Sequence, residues 1–175
     1  MIIVVGGSGS GSGKTTLIRI ILKFFPDRFT VLKITPNERF GEGIEENLKT
    51  LDIEGKDTYY YLHEGARKVY WIRGVFEKLE GFIEEVFSKG TGDVIVEGNS
   101  FLKFKKPDLI FFVEKDLDSS SKKDARFAKS AANYVIVNAE KGYVNNFKEF
   151  NVNLKSELDL QGRFSQELKT IIKSF

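Results

Sequence analysis

Residues Gly6 to Thr16 read GGSGSGSGKTT and follow directly on the apolar run Met1-Ile-Ile-Val-Val5. An apolar strand that breaks into glycines and then into Gly-Lys-Thr has the pattern of a loop that wraps phosphate. Glycines let the backbone turn tightly, so successive N–H groups converge on phosphate oxygens. A helix beginning near Gly13 presents its positive end to the same anion. In such an arrangement Lys14 reaches the β- and γ-phosphates of a nucleoside triphosphate, and the Thr15 hydroxyl ligates Mg²⁺. Gly9, Ser10, Gly11, Ser12, Gly13, Lys14, Thr15 and Thr16 are therefore the expected phosphate-binding residues.

The run departs from the strict pattern at one place. The motif puts a glycine five residues before Gly13, and Ser8 stands there. With a strand that stops at Val5, the loop is longer than the motif by about one Gly-Ser pair. Gly/Ser composition by itself also suits a flexible linker. A linker does not join a buried-type strand to Lys14-Thr-Thr-Leu-Ile-Arg-Ile-Ile-Leu22, so the strand–loop–helix context favours the phosphate loop.

Composition narrows the class. The chain has 175 residues, 41% hydrophobic and 30% charged, which suits a single folded domain spanning 1–175 with a substantial core. Its 27 basic and 25 acidic side chains nearly cancel, against a nucleic-acid surface. Cysteine is absent, which removes disulfides, thiolate metal sites and thiol nucleophiles. The sequence enters a strand without a charged leader, and no apolar run approaches the length of a membrane span. A cytoplasmic protein without membrane contact is the expectation.

Beyond the loop, apolar runs alternate with helical patterns. Strands are expected at Ile2–Val5, Phe29–Ile34, Lys68–Ile72, Asp93–Val96, Leu109–Val113 and Tyr134–Val137. Helices are expected near Lys14–Phe25, Asp57–His63, Val75–Lys89, Lys122–Ala132 (opened by Ser119-Ser-Ser121) and Phe164–Ile172, with a short one near Glu45–Leu51. This alternation implies an α/β fold, a mainly parallel sheet with helices on both faces. Right-handed crossovers then bring the carboxyl ends of the strands to one edge, where ligands bind.

The residues just past each strand, Gly6–Thr16, Thr35–Asn37, Glu97–Ser100, Glu114–Asp116 and Asn138–Lys141, are thus the functional candidates. Glu97 closes the strand Asp93-Val-Ile-Val-Glu97, and a carboxylate there holds Mg²⁺ or orients an attacking water. Asp93 begins the same strand at the opposite edge and reads as structural. Asn138 ends Tyr134-Val-Ile-Val-Asn138, where its amide serves either as a base reader or as a turn residue. The sequence continues Ala-Glu-Lys141, so the Asn-Lys-x-Asp guanine reader of GTP-binding proteins is not in place. Asp57 and Thr58 start a helix, where capping suffices. The other reading makes them a switch that senses the γ-phosphate through Mg²⁺. Lys33 is a cation in an apolar strand, facing the phosphate cleft or snorkelling from a sheet edge. The single histidine, His63, makes no metal site. Tyr59, Tyr60, Tyr61, Tyr70 and Trp71 read as core or interface aromatics. Lys122, Lys123, Arg126 and Lys129 form a solvated basic face or a phosphate-clamping lid.

Taken together, these pieces resemble the molybdopterin-guanine dinucleotide biosynthesis adapter (MobB) family of small phosphate-loop NTPases. The matching segments are Ser10-Gly-Ser-Gly-Lys-Thr-Thr-Leu17, Val31-Leu-Lys-Ile34, Gly55-Lys-Asp-Thr58 with Glu64-Gly-Ala66, Asp93-Val-Ile-Val-Glu-Gly98 and Pro107-Asp-Leu-Ile110. The resemblance implies a three-layer P-loop NTPase fold and a GTP-binding protein with weak GTPase activity, dimeric, assisting molybdenum-cofactor maturation through a protein partner. It places phosphates and Mg²⁺ on Gly11, Gly13, Lys14 and Thr15, gives Glu97 the acidic role, and adds Asp57 as a metal- or phosphate-linked group. Ile34-Thr-Pro-Asn37 stands where the family usually carries a histidine. Lys14 and Glu97 are the expected catalytic residues, Thr15, Glu97 and Asp57 the expected metal ligands, and GTP or ATP the expected nucleotide. A small-molecule kinase, with Asp57 as base beside an acceptor, is the alternative reading. A non-enzymatic nucleotide-binding scaffold is the other.

Overall fold

The structure is a computed structural model that describes residues 1–37, 39, 41–115, 123–139, 144–146 and 148–175. Among these residues nine strands form one sheet, in the order β3-β4-β2-β5-β1-β6-β7-β9-β8. The strands are β1 (Ile2–Gly7), β2 (Phe29–Thr35), β3 (Gly43–Glu45), β4 (Lys68–Arg73), β5 (Asp93–Glu97), β6 (Leu109–Lys115), β7 (Tyr134–Asn138), β8 (Val144–Asn146) and β9 (Glu149–Val152). Seven of them, from β4 through to β9, run parallel. The edge strands β3 and β8 are antiparallel to their neighbours. All six strands expected from the apolar runs are present, and β1, β5 and β6 lie at the centre as fully buried strands should.

Helices cover both faces, giving three layers. On one face α1 (Lys14–Phe24), α3 (Asp57–His63) and α6 (Arg163–Lys173) pack over Ile3, Val5, Val31, Ile95, Phe111 and Ile136. On the other, α4 (Phe76–Ser88) packs Leu79, Ile83 and Val86 against Val4, Leu32, Val94 and Val96. There α5 (Lys123–Ala131) seats Ala125 and Ala128 on Phe112. Burying a Leu or Ile side chain stabilises by about 1.5–3 kcal/mol. The alternation of Val4 and Val5, and of Val31 and Leu32, onto opposite faces therefore fixes the register of the central strands.

Three local expectations are corrected. The helix expected near Glu45–Leu51 is shortened to α2 (Leu48–Leu51), capped by the Asn47 side chain accepting from Lys49 N at 3.0 Å. The preceding residues instead add β3 to the sheet edge, because Ile44 packs on the α4 side of the core. The polar stretch after β7 supplies β8 and β9, whose Phe150 and Val152 are buried against α6. Asp57 does not cap its helix: Lys56 holds the capping position, and Asp57 is the first helical residue. Ser119–Lys122, expected to open and begin the fifth helix, and Asp116 and Lys141 past their strands lie outside the described residues.

Candidate nucleotide site

The phosphate loop has ordinary length once its strand is traced. β1 continues through Gly6 and Gly7, which leaves the six residues Ser8–Gly13 before Lys14. That is the count the motif places ahead of its lysine, with Ser8 in the first glycine position. Ser8 tolerates the substitution because Asp27 is the only described non-glycine residue with positive φ. Its N–H donates to Val113 O at 3.0 Å, tying the loop to β6. Gly7 sits where no side chain fits: a Cβ there would lie 2.6 Å from Ser12 Oγ and 2.9 Å from Val113 O. Gly13 combines a φ of 115° with a space that Leu154 and Asn138 close, so only glycine starts the helix here.

Two asparagines hold the loop from behind. Asn99, past the end of β5, accepts from Gly7 N at 2.9 Å and donates to Gly7 O at 3.0 Å. Asn138 donates to Ser12 O at 3.1 Å and accepts from Leu154 N at 3.4 Å. The side chain expected to read a base is thus bonded to the loop itself. Lys14 Nζ donates to Gly9 O at 2.9 Å. Lys115, at the end of β6, brings its ammonium within 3.6 Å of the point a Gly11 Cβ would occupy, a second cation beside the loop.

Opposite the loop lies a connected polar cluster. Thr15 Oγ1 donates to Asp57 Oδ1 at 2.8 Å. Lys33 forms an ion pair with Asp57 Oδ2 and stands 3.7 Å from Glu97 Oε2. Tyr61 OH donates to that same Glu97 oxygen at 2.8 Å. Five side chains from four elements thus form a continuous chain. β2 supplies Lys33 and β5 supplies Glu97, in adjacent register. Helix α1 supplies Thr15, and α3 supplies Asp57 and Tyr61, one turn apart on one face. β2 is an interior strand, which settles the open reading of Lys33 in favour of the cleft.

Electrostatics follow from this packing. Burial acts to raise the Asp57 pKa, but the bond and charge of Lys33, the Thr15 hydroxyl and the Lys14 charge outweigh it and hold the carboxyl below the usual range. Tyr61 is pushed well above the ordinary phenol range by burial, then by the negative charge of Glu97 and Asp57. Its O–H therefore stays a donor at any working pH. Glu97 is only 7% exposed, and Lys33 and the Tyr61 hydroxyl are the polar groups that meet its carboxylate.

The expected metal ligands Thr15, Asp57 and Glu97 are thus gathered at one edge, with the Lys33 ammonium between the two carboxylates. Among the described residues no group of three or more His, Asp or Glu could hold a metal. A hard cation held by one hydroxyl, a single carboxylate, water and substrate phosphates fits such a donor set. Other candidates lie elsewhere. His63 pairs with Asp52 at 2.7 Å on the surface, and Lys129 pairs with Glu114 at 2.8 Å. Sequence reasoning missed Tyr61, whereas Asn99 lies in the expected stretch Glu97–Ser100 without a role having been given to it. Tyr61 was hidden in a tyrosine run, although its spacing of four from Asp57 marks a shared helix face.

No protein-family model matches the chain, and no curated protein matches it in sequence. Two solved structures are similar in fold. LpxK from Aquifex aeolicus, described as an "apo" form in complex with ATP, matches with a TM-score of 0.56 and 15% identity, over 85% of this chain and 52% of that one. This chain thus spans about half the length of the LpxK chain. A chain of the MinC:MinD cell division protein complex of Aquifex aeolicus matches with a TM-score of 0.43 and 19% identity, over 80% of this chain and 69% of that one. Among the described residues no helix is long and apolar enough to cross a membrane. The glycine loop between a central strand and its helix, the parallel sheet and the likeness to LpxK together give this chain the three-layer P-loop NTPase fold.

Proposed function

We propose that this chain binds a nucleoside triphosphate with Mg²⁺ on the loop Ser8–Thr16 and cleaves the γ-phosphate slowly. The bond from Thr15 to Asp57 carries this reading. A threonine hydroxyl that donates to a carboxylate keeps its lone pairs for a cation, so Asp57 orients Thr15 as a ligand. Thr15 would hold Mg²⁺ directly, with Asp57 and Glu97 as the neighbouring carboxylates. When bound, the cation neutralises charge at the β- and γ-phosphate oxygens. Lys14 exchanges Gly9 O for a phosphate oxygen, and the loop amides stabilise the charge that develops on transfer. Glu97, fixed by Tyr61 and Lys33, orients the attacking water. Asn138 acts as a brace of the loop in this reading, not as a reader of the base.

GTP as the nucleotide, a homodimer and an adapter role in molybdenum-cofactor biosynthesis rest on the MobB resemblance. Phosphotransfer to a small molecule rests on a cavity beside Asp57 and is the second reading. Titrating fluorescent GTP and ATP analogues with and without Mg²⁺ tests the shared step. Wild-type protein binds saturably and Mg²⁺-dependently, and Lys14→Ala weakens binding on the order of 100-fold. Absence of saturable binding by the wild type overturns the proposal.

A further inference from the structure

Beside the carboxyl ends of β2 and β4 lies a cavity of about 530 Å³. Its walls include Lys33, Thr35, Thr50, Ile53, Asp57 and Trp71. The volume falls in the range of small-molecule sites, about 300–1,000 Å³. Asp57 lines this cavity and also bonds Thr15 of the phosphate loop, so one carboxylate joins the two spaces. A cavity of about 560 Å³ beside Leu102 and Asp108 shares no residue with the loop or the polar cluster. Position rather than size therefore singles out the cavity at Asp57.

We infer that this cavity holds the acceptor of the γ-phosphoryl group, a neutral hydroxylated small molecule of monosaccharide or nucleoside size. The inference rests on the proposed triphosphate binding and assigns the phosphoryl group a destination other than water. The lining fits that class of acceptor. Trp71 and Ile53 offer an apolar wall for a ring face. Thr35 and Thr50 offer hydroxyls, the Lys33–Asp57 pair cancels the charge at the inner end, and the remaining lining cation, Lys56, is exposed to solvent. Trp71 is itself held in place, with Nε1 donating to Thr35 Oγ1 at 2.9 Å and the Arg73 guanidinium 4.5 Å from the centre of its ring.

The step balances without a further reactant. An acceptor hydroxyl oxygen bonds the γ-phosphorus, and the bond from that phosphorus to the β,γ-bridging oxygen breaks. The electron pair leaves on the nucleoside diphosphate. The hydroxyl proton passes to the Asp57 carboxylate and then to solvent. Asp57 is an adequate acceptor because transfer of this kind asks for positioning more than for a strong base.

Trp71 is the single tryptophan, so its emission reports occupancy of the cavity directly. The experiment titrates neutral monosaccharides and nucleosides against Trp71 emission and follows label from γ-³²P-ATP and γ-³²P-GTP into each compound. At least one compound shifts the emission saturably and takes up label, and Lys14→Ala abolishes the transfer. Ile53 is 46% exposed, so Ile53→Arg narrows the mouth without disturbing the core. It raises the acceptor KM at least tenfold and leaves nucleotide affinity unchanged. Nucleotide binding without any emission shift or labelled product across the panel overturns the acceptor site and leaves the triphosphate reading standing. Absence of nucleotide binding overturns both.

Discussion

Strand β5 carries a carboxylate at each end, and the protein treats the two in opposite ways. Asp93, at the amino edge of the sheet, accepts from Arg28 Nε at 2.7 Å and from the Met1 ammonium at 2.8 Å. One anion there meets two cations. Glu97, at the carboxyl edge, is more deeply buried and shares Lys33 with Asp57. Two carboxylates there share one paired ammonium, with the Tyr61 and Thr15 hydroxyls donating and the Lys14 charge farther off. The amino edge is electrostatically closed and holds the fold. The carboxyl edge sets two carboxylates around one paired ammonium beside the glycine loop, which leaves them open to an added cation. Local charge balance therefore separates the two carboxylates in the same sense as their strand positions do.

The largest way to break this contrast is Lys33→Met. Removing the shared cation leaves Asp57 and Glu97 facing each other with no ammonium. Breaking a buried pair costs about 3–5 kcal/mol, and the partial exposure of Lys33 brings the expected loss nearer about 2–3 kcal/mol. Urea unfolding measures it. Added Mg²⁺ should recover more stability in the variant than in the wild type, because the cation then takes the vacated position. A variant as stable as the wild type would show that the carboxyl edge is not short of positive charge.

Tyr61→Phe is the next smaller change. It deletes one donor to a buried carboxylate while keeping the ring in the core. The expected loss is about 1–2 kcal/mol. Hydrolysis slows while nucleotide affinity is unchanged, because Tyr61 acts on Glu97 and not on the phosphate loop. A fall in affinity with unchanged turnover would reverse the roles given to Glu97 and the loop.

Acid sharpens the comparison further. Asp57 is held below the ordinary carboxylate range, so its contribution is fully present above the unfolded value near about 3.9. That contribution is lost as pH falls through the lower, folded value. Asp57→Asn should therefore flatten the stability profile below about pH 4 and leave its shape at neutral pH unchanged. Equal acid slopes in variant and wild type would mean that Lys33 does not hold Asp57 ionised.

Much of this was legible in the residues. The runs Ile2–Val5, Asp93–Val96 and Leu109–Val113 are apolar without alternation, which only a strand covered on both faces explains. From there the carboxyl edge follows, and with it Lys14, Thr15 and Glu97 as neighbours. Gly6 and Gly7 misled because glycine argues against a strand, whereas here Ser12 and Asn99 crowd them into one. Asp57 read first as a helix cap, since a cap and a first-turn carboxylate share one local pattern. What decides between them is Thr15, 42 residues away, a tertiary fact that no local pattern holds. β3, β8 and β9 were missed for a related reason. They are only three or four residues long, and pairing with the strands beside them forms them.

The smallest effect is expected at the other end of β5. Asp93→Asn keeps a hydrogen-bonding side chain and removes one charge from a partly exposed cluster, where ion pairs are worth up to about 1 kcal/mol. Arg28 keeps its place without Asp93, because its guanidinium lies 5.3 Å and 4.9 Å from the rings of Phe25 and Phe29. Stability should fall by less than about 1 kcal/mol, and nucleotide affinity should match the wild type. Glu97→Gln in the same assays provides the contrast, with a marked loss of turnover. Should Asp93→Asn depress turnover as strongly, the two ends of β5 would be coupled through the strand. Charge balance at each edge would then no longer account for the difference between them.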